Sequence, residues 1–171
     1  PFYVYEELAW TNATMGGIPI QEVIASGKFQ KHSNDYWFMM ASLQHPMRTR
    51  DPQEAKLFVI PTLLNLYSFR VYPAPRNRNV TMCWNGMCDR DLLKDAARLL
   101  NASEWIHTSP HLHIVATSHY GYHLKGTLKM PALLRQALYR CHSITFEQKQ
   151  FNAPERLRFS SYLVGNPCPS L

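Results

Sequence analysis

The stretch Arg48-Thr-Arg-Asp-Pro-Gln-Glu-Ala-Lys-Leu-Phe-Val-Ile-Pro61 decides the fold, because a helical start and a buried strand are written in it back to back. Asp51 is suited to cap a helix whose first residue is Pro52, where a missing N–H costs nothing. Glu54 stands three residues on as the capping-box partner. After one turn the pattern changes. Leu57-Phe-Val-Ile60 is a continuous apolar run closed by Pro61, the pattern of a strand covered on both faces. Such a strand implies helices above and below it, and so a parallel sheet.

Working outward, Phe2-Tyr-Val-Tyr5 reads as the first strand, ended by Glu6-Glu7. Asn12, Gly16-Gly17 and Pro19 carry turn chemistry and no periodicity. From Ser33 the period becomes helical, with Tyr36, Trp37, Met40 and Leu43 on one face and an end near His45, ahead of Pro46. Residues 62–89 are the least regular part of the chain. Residues 91–100 form the clearest amphipathic helix, acidic at its start, with Leu92, Ala96, Leu99 and Leu100 inward. A strand follows over 112–117, a helix from Pro131 to Arg140, and strands over 143–146 and 162–164. Strands alternating with helices predict an α/β class: a Rossmann-like, doubly wound parallel sheet with helices on both faces, in one domain over 1–171.

At 171 residues, with 46% hydrophobic and 18% charged side chains, the chain is one ordinary domain and not a disordered segment. No apolar run reaches the roughly 18 residues a membrane span needs, and no signal segment opens the sequence. Beginning at Pro1 and stopping at Leu171, it reads as a fragment. Eighteen basic residues against 12 acidic give a net charge of +6. The bases are scattered and not striped, which points to a solvated basic surface and away from nucleic acid.

Cys83 and Cys88 enclose Trp-Asn-Gly-Met, whose Asn-Gly supplies a turn, so a local disulfide is expected there. Cys141 and Cys168 remain as a second pair, although four cysteines allow three pairings. Asn12, Asn79 and Asn101 each open an Asn-x-Ser/Thr sequon. Together with the even cysteine count they favour a lumenal or secreted protein.

In open parallel sheets ligands gather beyond the carboxyl ends of the strands. The richest such place in the sequence is Thr117-Ser-His-Tyr-Gly-Tyr-His123, where His119, Tyr120 and Tyr122 could bind a sugar by stacking and hydroxyl bonds. The plainer reading is a loop whose aromatics pack on the domain. Glu147, after the 143–146 strand, is an acid, a base or simply a surface carboxylate. His111 and His113 would share a strand face, yet no acidic ligand or His-Glu-x-x-His signature accompanies them, so no metal is expected. A Gly-x-Gly-x-x-Gly loop, a P-loop and a Gly-x-Ser-x-Gly elbow are all absent from the sequence, which disfavours a phosphate cradle in this chain and an α/β-hydrolase.

Phe2-Tyr-Val-Tyr5, the Arg48–Pro61 block and Trp105 ahead of His113-Ile-Val-Ala-Thr-Ser-His119 resemble, in order, the amino-terminal half of the exostosin-like glycosyltransferases. The resemblance implies the first lobe of a two-lobed GT-B enzyme, anchored in the Golgi as a type II membrane protein and facing its lumen. It implies transfer of a sugar from a nucleotide sugar, such as a UDP-sugar, to a glycan acceptor without a bound metal. The donor would be held by a second lobe beyond Leu171, and the anchor would precede Pro1. His119, Tyr120, Tyr122 and Arg48 are then candidates for acceptor binding, and no catalytic base is identified. The chain departs from the family pattern at His107, Leu112 and Tyr120, where an Arg and two Asp are usual. These departures leave room for the alternative, a non-catalytic glycan-binding or scaffold protein of the same fold.

Overall fold

The computed structural model describes residues 1–27, 33–69, 80–116, 131–138, 140–145 and 161–163. Ten strands are present among them. Six, β1 (Phe2–Val4), β4 (Arg48–Thr49), β5 (Leu57–Ile60), β8 (His113–Ala116), β9 (His142–Thr145) and β10 (Ser161–Leu163), form one sheet in the order β10-β9-β8-β5-β1-β4. Every pairing in it is parallel. Four shorter strands, β2 (Thr14–Met15), β3 (Ile18–Pro19), β6 (Met82–Trp84) and β7 (Met87–Cys88), make a second, antiparallel sheet.

The block that opened the reading behaves largely as its residues dictate. Phe58, Val59 and Ile60 are buried, and β5 is paired in parallel with β1 on one side and β8 on the other. Leu57, at the mouth of the strand, stays 40% exposed. Ahead of it, Asp51 does cap: its Oδ1 accepts the Gln53 N–H at 2.9 Å. The turn is a single 3₁₀ turn, Pro52–Glu54, and the capping box is not formed. Thr49 intervenes, its Oγ1 accepting the Asp51 N–H and donating to Glu54. The N–H that Glu54 would have answered is thereby satisfied already.

Taken in chain order, the six parallel strands have the arrangement 2-1-3-4-5-6, which reverses direction between β1 and β5. A doubly wound sheet of this order sends its connections to opposite faces on either side of the reversal. Side-chain contacts agree. Phe2 meets His45, the residue after α2 (Asn34–Gln44), with ring centroids 5.3 Å apart. Tyr5 and Phe58, of opposite parity in the pleat, meet Ser103 and Trp105, where α4 (Asp89–Ala102) passes into α5 (Glu104–Thr108). Leu92, Leu93, Ala96, Ala97 and Leu100 of α4 are buried, and α4 packs on α6 (Ala132–Leu138), whose Leu134 and Leu138 are fully covered. Leu99 of α4 is only partly covered.

α2 is rotated from its expected setting. Asp35, Tyr36, Met39 and Ser42 point inward, Met40 and Leu43 are partly covered, and Trp37 is 58% exposed. The cause is Asp35, which is drawn into the core to meet main-chain N–H groups of a helix the sequence reading passed over. That helix, α3 (Leu64–Phe69), follows β5 directly. Two others, α1 (Ile20–Ala25) and α5, are equally short, and periodicity needs more than one or two turns to declare itself. The region of Gly16-Gly17 is likewise more regular than expected. Both glycines have positive φ, 63° and 81°, and close a two-residue hairpin between β2 and β3.

Asn85 (φ 47°) and Gly86 (φ 77°) make the corresponding turn between β6 and β7, and the Cys83–Cys88 disulfide crosses that hairpin between paired residues, Cα atoms 4.1 Å apart. The second expected disulfide is not formed at Cys141. Its thiol is free and buried behind α6, where Sγ donates to the Ala137 carbonyl at 3.3 Å and burial pushes its pKa up to about 12. Cys168 lies outside the described residues. Closing so short a loop constrains the unfolded chain by about 2 kcal/mol. The Cys83→Ser/Cys88→Ser protein is therefore expected to lose about that much unfolding free energy in non-reducing denaturant titrations, with Cys141→Ser showing no such loop effect.

Candidate functional site

The order of the sheet defines where a ligand would gather: the carboxyl ends of β1 and β5, on either side of the reversal. Beyond β1 the chain enters a 3₁₀ turn, Glu6–Leu8. Arg48, on the neighbouring edge strand, reaches toward this end, where its Nη2 pairs with the Glu6 carboxylate. Nη1 donates to the Leu43 carbonyl at 2.8 Å, and Nε is buried with no hydrogen-bond partner among the described residues. The arginine thus ties α2 and the edge strand to the β1 terminus.

Beyond β5 lie Thr62, buried and with its Oγ1 unpartnered among the described residues, and the start of α3. Asp35 supports that start from below. Its Oδ2 accepts the N–H groups of Asn65 at 2.8 Å and Leu66 at 3.2 Å, and Oδ1 accepts the Tyr36 N–H at 3.0 Å. Burial raises the carboxyl pKa to about 7, against the opposing effect of those donors. Asp35 was not legible as a functional or structural key, because an acidic residue in a helix's first turn ordinarily faces water.

A second polar centre lies under the α4–α5 face. His113 is fully buried. Its Nδ1–H donates to the Ser109 carbonyl at 2.9 Å, which leaves Nε2 as an acceptor for the Tyr5 hydroxyl at 2.8 Å. With its proton so directed, the Tyr5 oxygen accepts from Ser103 Oγ at 2.9 Å. Phe58 stacks on His113 (4.8 Å) and on Trp105 (5.4 Å), and Tyr5 lies against both His113 (5.7 Å) and Phe58 (6.3 Å). Burial, with a smaller contribution from His111, lowers the His113 pKa to about 4 despite the Ser109 bond. Desolvation likewise raises the Tyr5 phenol far above its ordinary value. The centre is therefore neutral at physiological pH: a positioning network, with no group near a pKa suited to proton transfer.

Beside this network opens a cleft of about 510 Å³, bounded by Tyr3, Tyr5 and Glu7, by Pro52, and by Leu99, Ser103, Glu104 and Trp105. It runs along the α4–α5 face of the sheet, from the level at which Tyr3 pairs with Phe58 to Tyr5 and Glu7 past the carboxyl end of β1.

Of the candidates read from the sequence, Arg48 is placed beside the β1 terminus as described. His119, Tyr120 and Tyr122 fall outside the described residues, as does Glu147. His111 and His113 do not share a strand face: His111 belongs to a 3₁₀ turn, Pro110–Leu112, and is exposed, while His113 begins β8 and is buried. The proline at the turn's start displaces His111 from the strand. Among the described residues no group of three metal-ligating side chains is assembled. Asn12 and Asn101 are exposed, as a glycosylation acceptor must be, and Asn79 lies outside the described residues. No helix among the described residues is long and apolar enough to cross a membrane. No family model matches the chain, and neither does any curated protein or any solved structure.

Proposed function

We propose that the chain is the acceptor-side lobe of an exostosin-type glycosyltransferase, which moves a sugar from a nucleotide sugar to a glycan. The observation that carries this reading is the Arg48–Pro61 block, which folds into a capped turn and then the strand beside the reversal of a doubly wound parallel sheet. That is the arrangement the resemblance requires of this segment. The Cys83–Cys88 disulfide and the exposed Asn12 and Asn101 sequons support a lumenal setting. In the proposed reaction an acceptor hydroxyl, bound by Arg48, His119, Tyr120 and Tyr122, attacks the anomeric carbon of the donor. A new glycosidic bond forms, the bond to the nucleotide phosphate breaks, and a general base takes the hydroxyl proton. The donor is held by a second lobe of the full-length protein, in the Golgi lumen.

Incubating the secreted full-length protein with radiolabelled nucleotide sugars and a panel of glycan acceptors is expected to incorporate label from at least one donor, and Tyr122→Ala is expected to raise the acceptor KM. Glycan binding without turnover on any donor would replace this reading with that of a non-catalytic binding protein of the same fold.

A further inference from the structure

We propose that the cleft beside β1 is a binding subsite for a neutral pyranose residue of a glycan, reaching from the face of the sheet at Tyr3 to Glu7 past the carboxyl end of β1. The floor is aromatic and rigid. Trp105 lies nearly parallel to Phe58, 22° between planes and 5.4 Å between centroids, so one face of the indole is fixed against the sheet and the other is offered to the cleft it lines. Tyr3 also lines the cleft, its ring 6.2 Å from Phe58 and held edge-on to Tyr5 at 5.4 Å. Pro52, Leu99 and Ala102 complete an apolar lining.

The polar groups are two carboxylates, Glu7 and Glu104, both exposed. A pyranose has this same division: apolar C–H faces that stack on aromatic rings and an equatorial rim of hydroxyls that carboxylates accept from in pairs. The Tyr3 phenol, held above its ordinary pKa by burial and then by Glu7 and Glu6, keeps its proton and remains a donor. At about 510 Å³ the cleft has the size of small-molecule sites in general.

Charge sets the ligand class further. On a chain of net charge +6 this is a locally acidic place, so uronic and sulfated sugars are repelled and a neutral sugar is accepted. A simple cation would meet the carboxylates but be desolvated against Pro52, Leu99 and Ala102 with nothing to satisfy its remaining donors. Glu7 follows Glu6, the partner of Arg48, so the cleft adjoins the edge at which sugar transfer is proposed. Binding of free neutral sugars and label transfer by the full-length protein are separate measurements, and either reading can fail without the other.

The test is saturation-transfer NMR and calorimetric titration of the chain with neutral hexose oligosaccharides, their uronic-acid counterparts and methylguanidinium. Neutral oligosaccharides are expected to bind, with saturation on the ring protons. Glu7→Gln/Glu104→Gln, which touches no buried contact, is expected to weaken them by about tenfold. Trp105→Ala is expected to abolish binding, and Asp91→Asn, outside the cleft, to leave it unchanged. Absence of neutral-sugar binding, equal affinity in the double glutamine variant, equal affinity for uronic acids, or tighter binding of methylguanidinium would each overturn the proposal. Sugar transfer by the full-length protein with no effect of Glu7→Gln/Glu104→Gln on neutral-glycan binding would retain the transferase and remove this subsite.

Discussion

Asp35→Ala is expected to lower the unfolding free energy by about 4 kcal/mol. The carboxylate accepts from two buried donors of another helix, Asn65 N–H and Leu66 N–H, and removing it takes that acceptor from both in a place closed to water. Each such group costs about 1–3 kcal/mol. Asp35→Asn keeps an acceptor oxygen of the same shape at the same place and is expected to recover most of the loss. Urea titration of the three proteins checks the order wild type, Asn, Ala. Equal stability of Asp35→Ala and wild type would mean that α3 does not depend on this cap.

The second large effect belongs to His113, and it is read most sharply as a function of pH. His113→Ala removes a fully buried ring from an aromatic cluster and takes the acceptor of the Tyr5 hydroxyl, for an expected loss of about 4 kcal/mol. The folded pKa of about 4 lies below the ordinary 6.5, so below pH 6.5 the unfolded chain takes up a proton that the folded one refuses. Stability from this histidine is complete above pH 6.5 and is lost as pH falls toward 4, by roughly 3 kcal/mol.

Asp35 has the opposite sign. Its folded pKa of about 7 lies above the ordinary 3.8, so its contribution is complete below pH 4 and is lost as pH rises toward 7, again by several kcal/mol in order of magnitude. The two slopes nearly cancel over the same window. Wild-type stability is therefore expected to be almost flat between pH 4 and 7, that of Asp35→Asn to fall toward acid, and that of His113→Phe to rise toward acid. Denaturation series at half-unit intervals of pH resolve the three curves. Parallel curves would show that neither group is shifted as its burial implies.

Much of the architecture was legible because it is local and periodic. The run Leu57-Phe-Val-Ile60 announces a doubly covered strand, residues 91–100 announce an amphipathic helix, and Asn85-Gly86 between two cysteines announces a bridged hairpin. Each of these is decided by side chains a few positions apart, before any distant part of the chain arrives. Trp37 shows the limit of such reasoning: its spacing with Tyr36 and Met40 put it inside, and a single buried hydrogen-bonding demand from α3 turned it out.

The candidate site was less legible than the fold. His113 and Tyr5 are 108 positions apart, and nothing near either one states that a phenol donates to an imidazole. The cleft is assembled from the ends of β1 and α4 and from the turn at Pro52, segments that meet only after the parallel sheet has formed. The sequence by itself determined the alternation of strands and helices, the buried central strand and the local disulfide, since these follow from short-range pattern. The tertiary structure alone decided which polar groups are stripped of water and paired, because desolvation depends on what is packed above a residue and not on its neighbours in the chain.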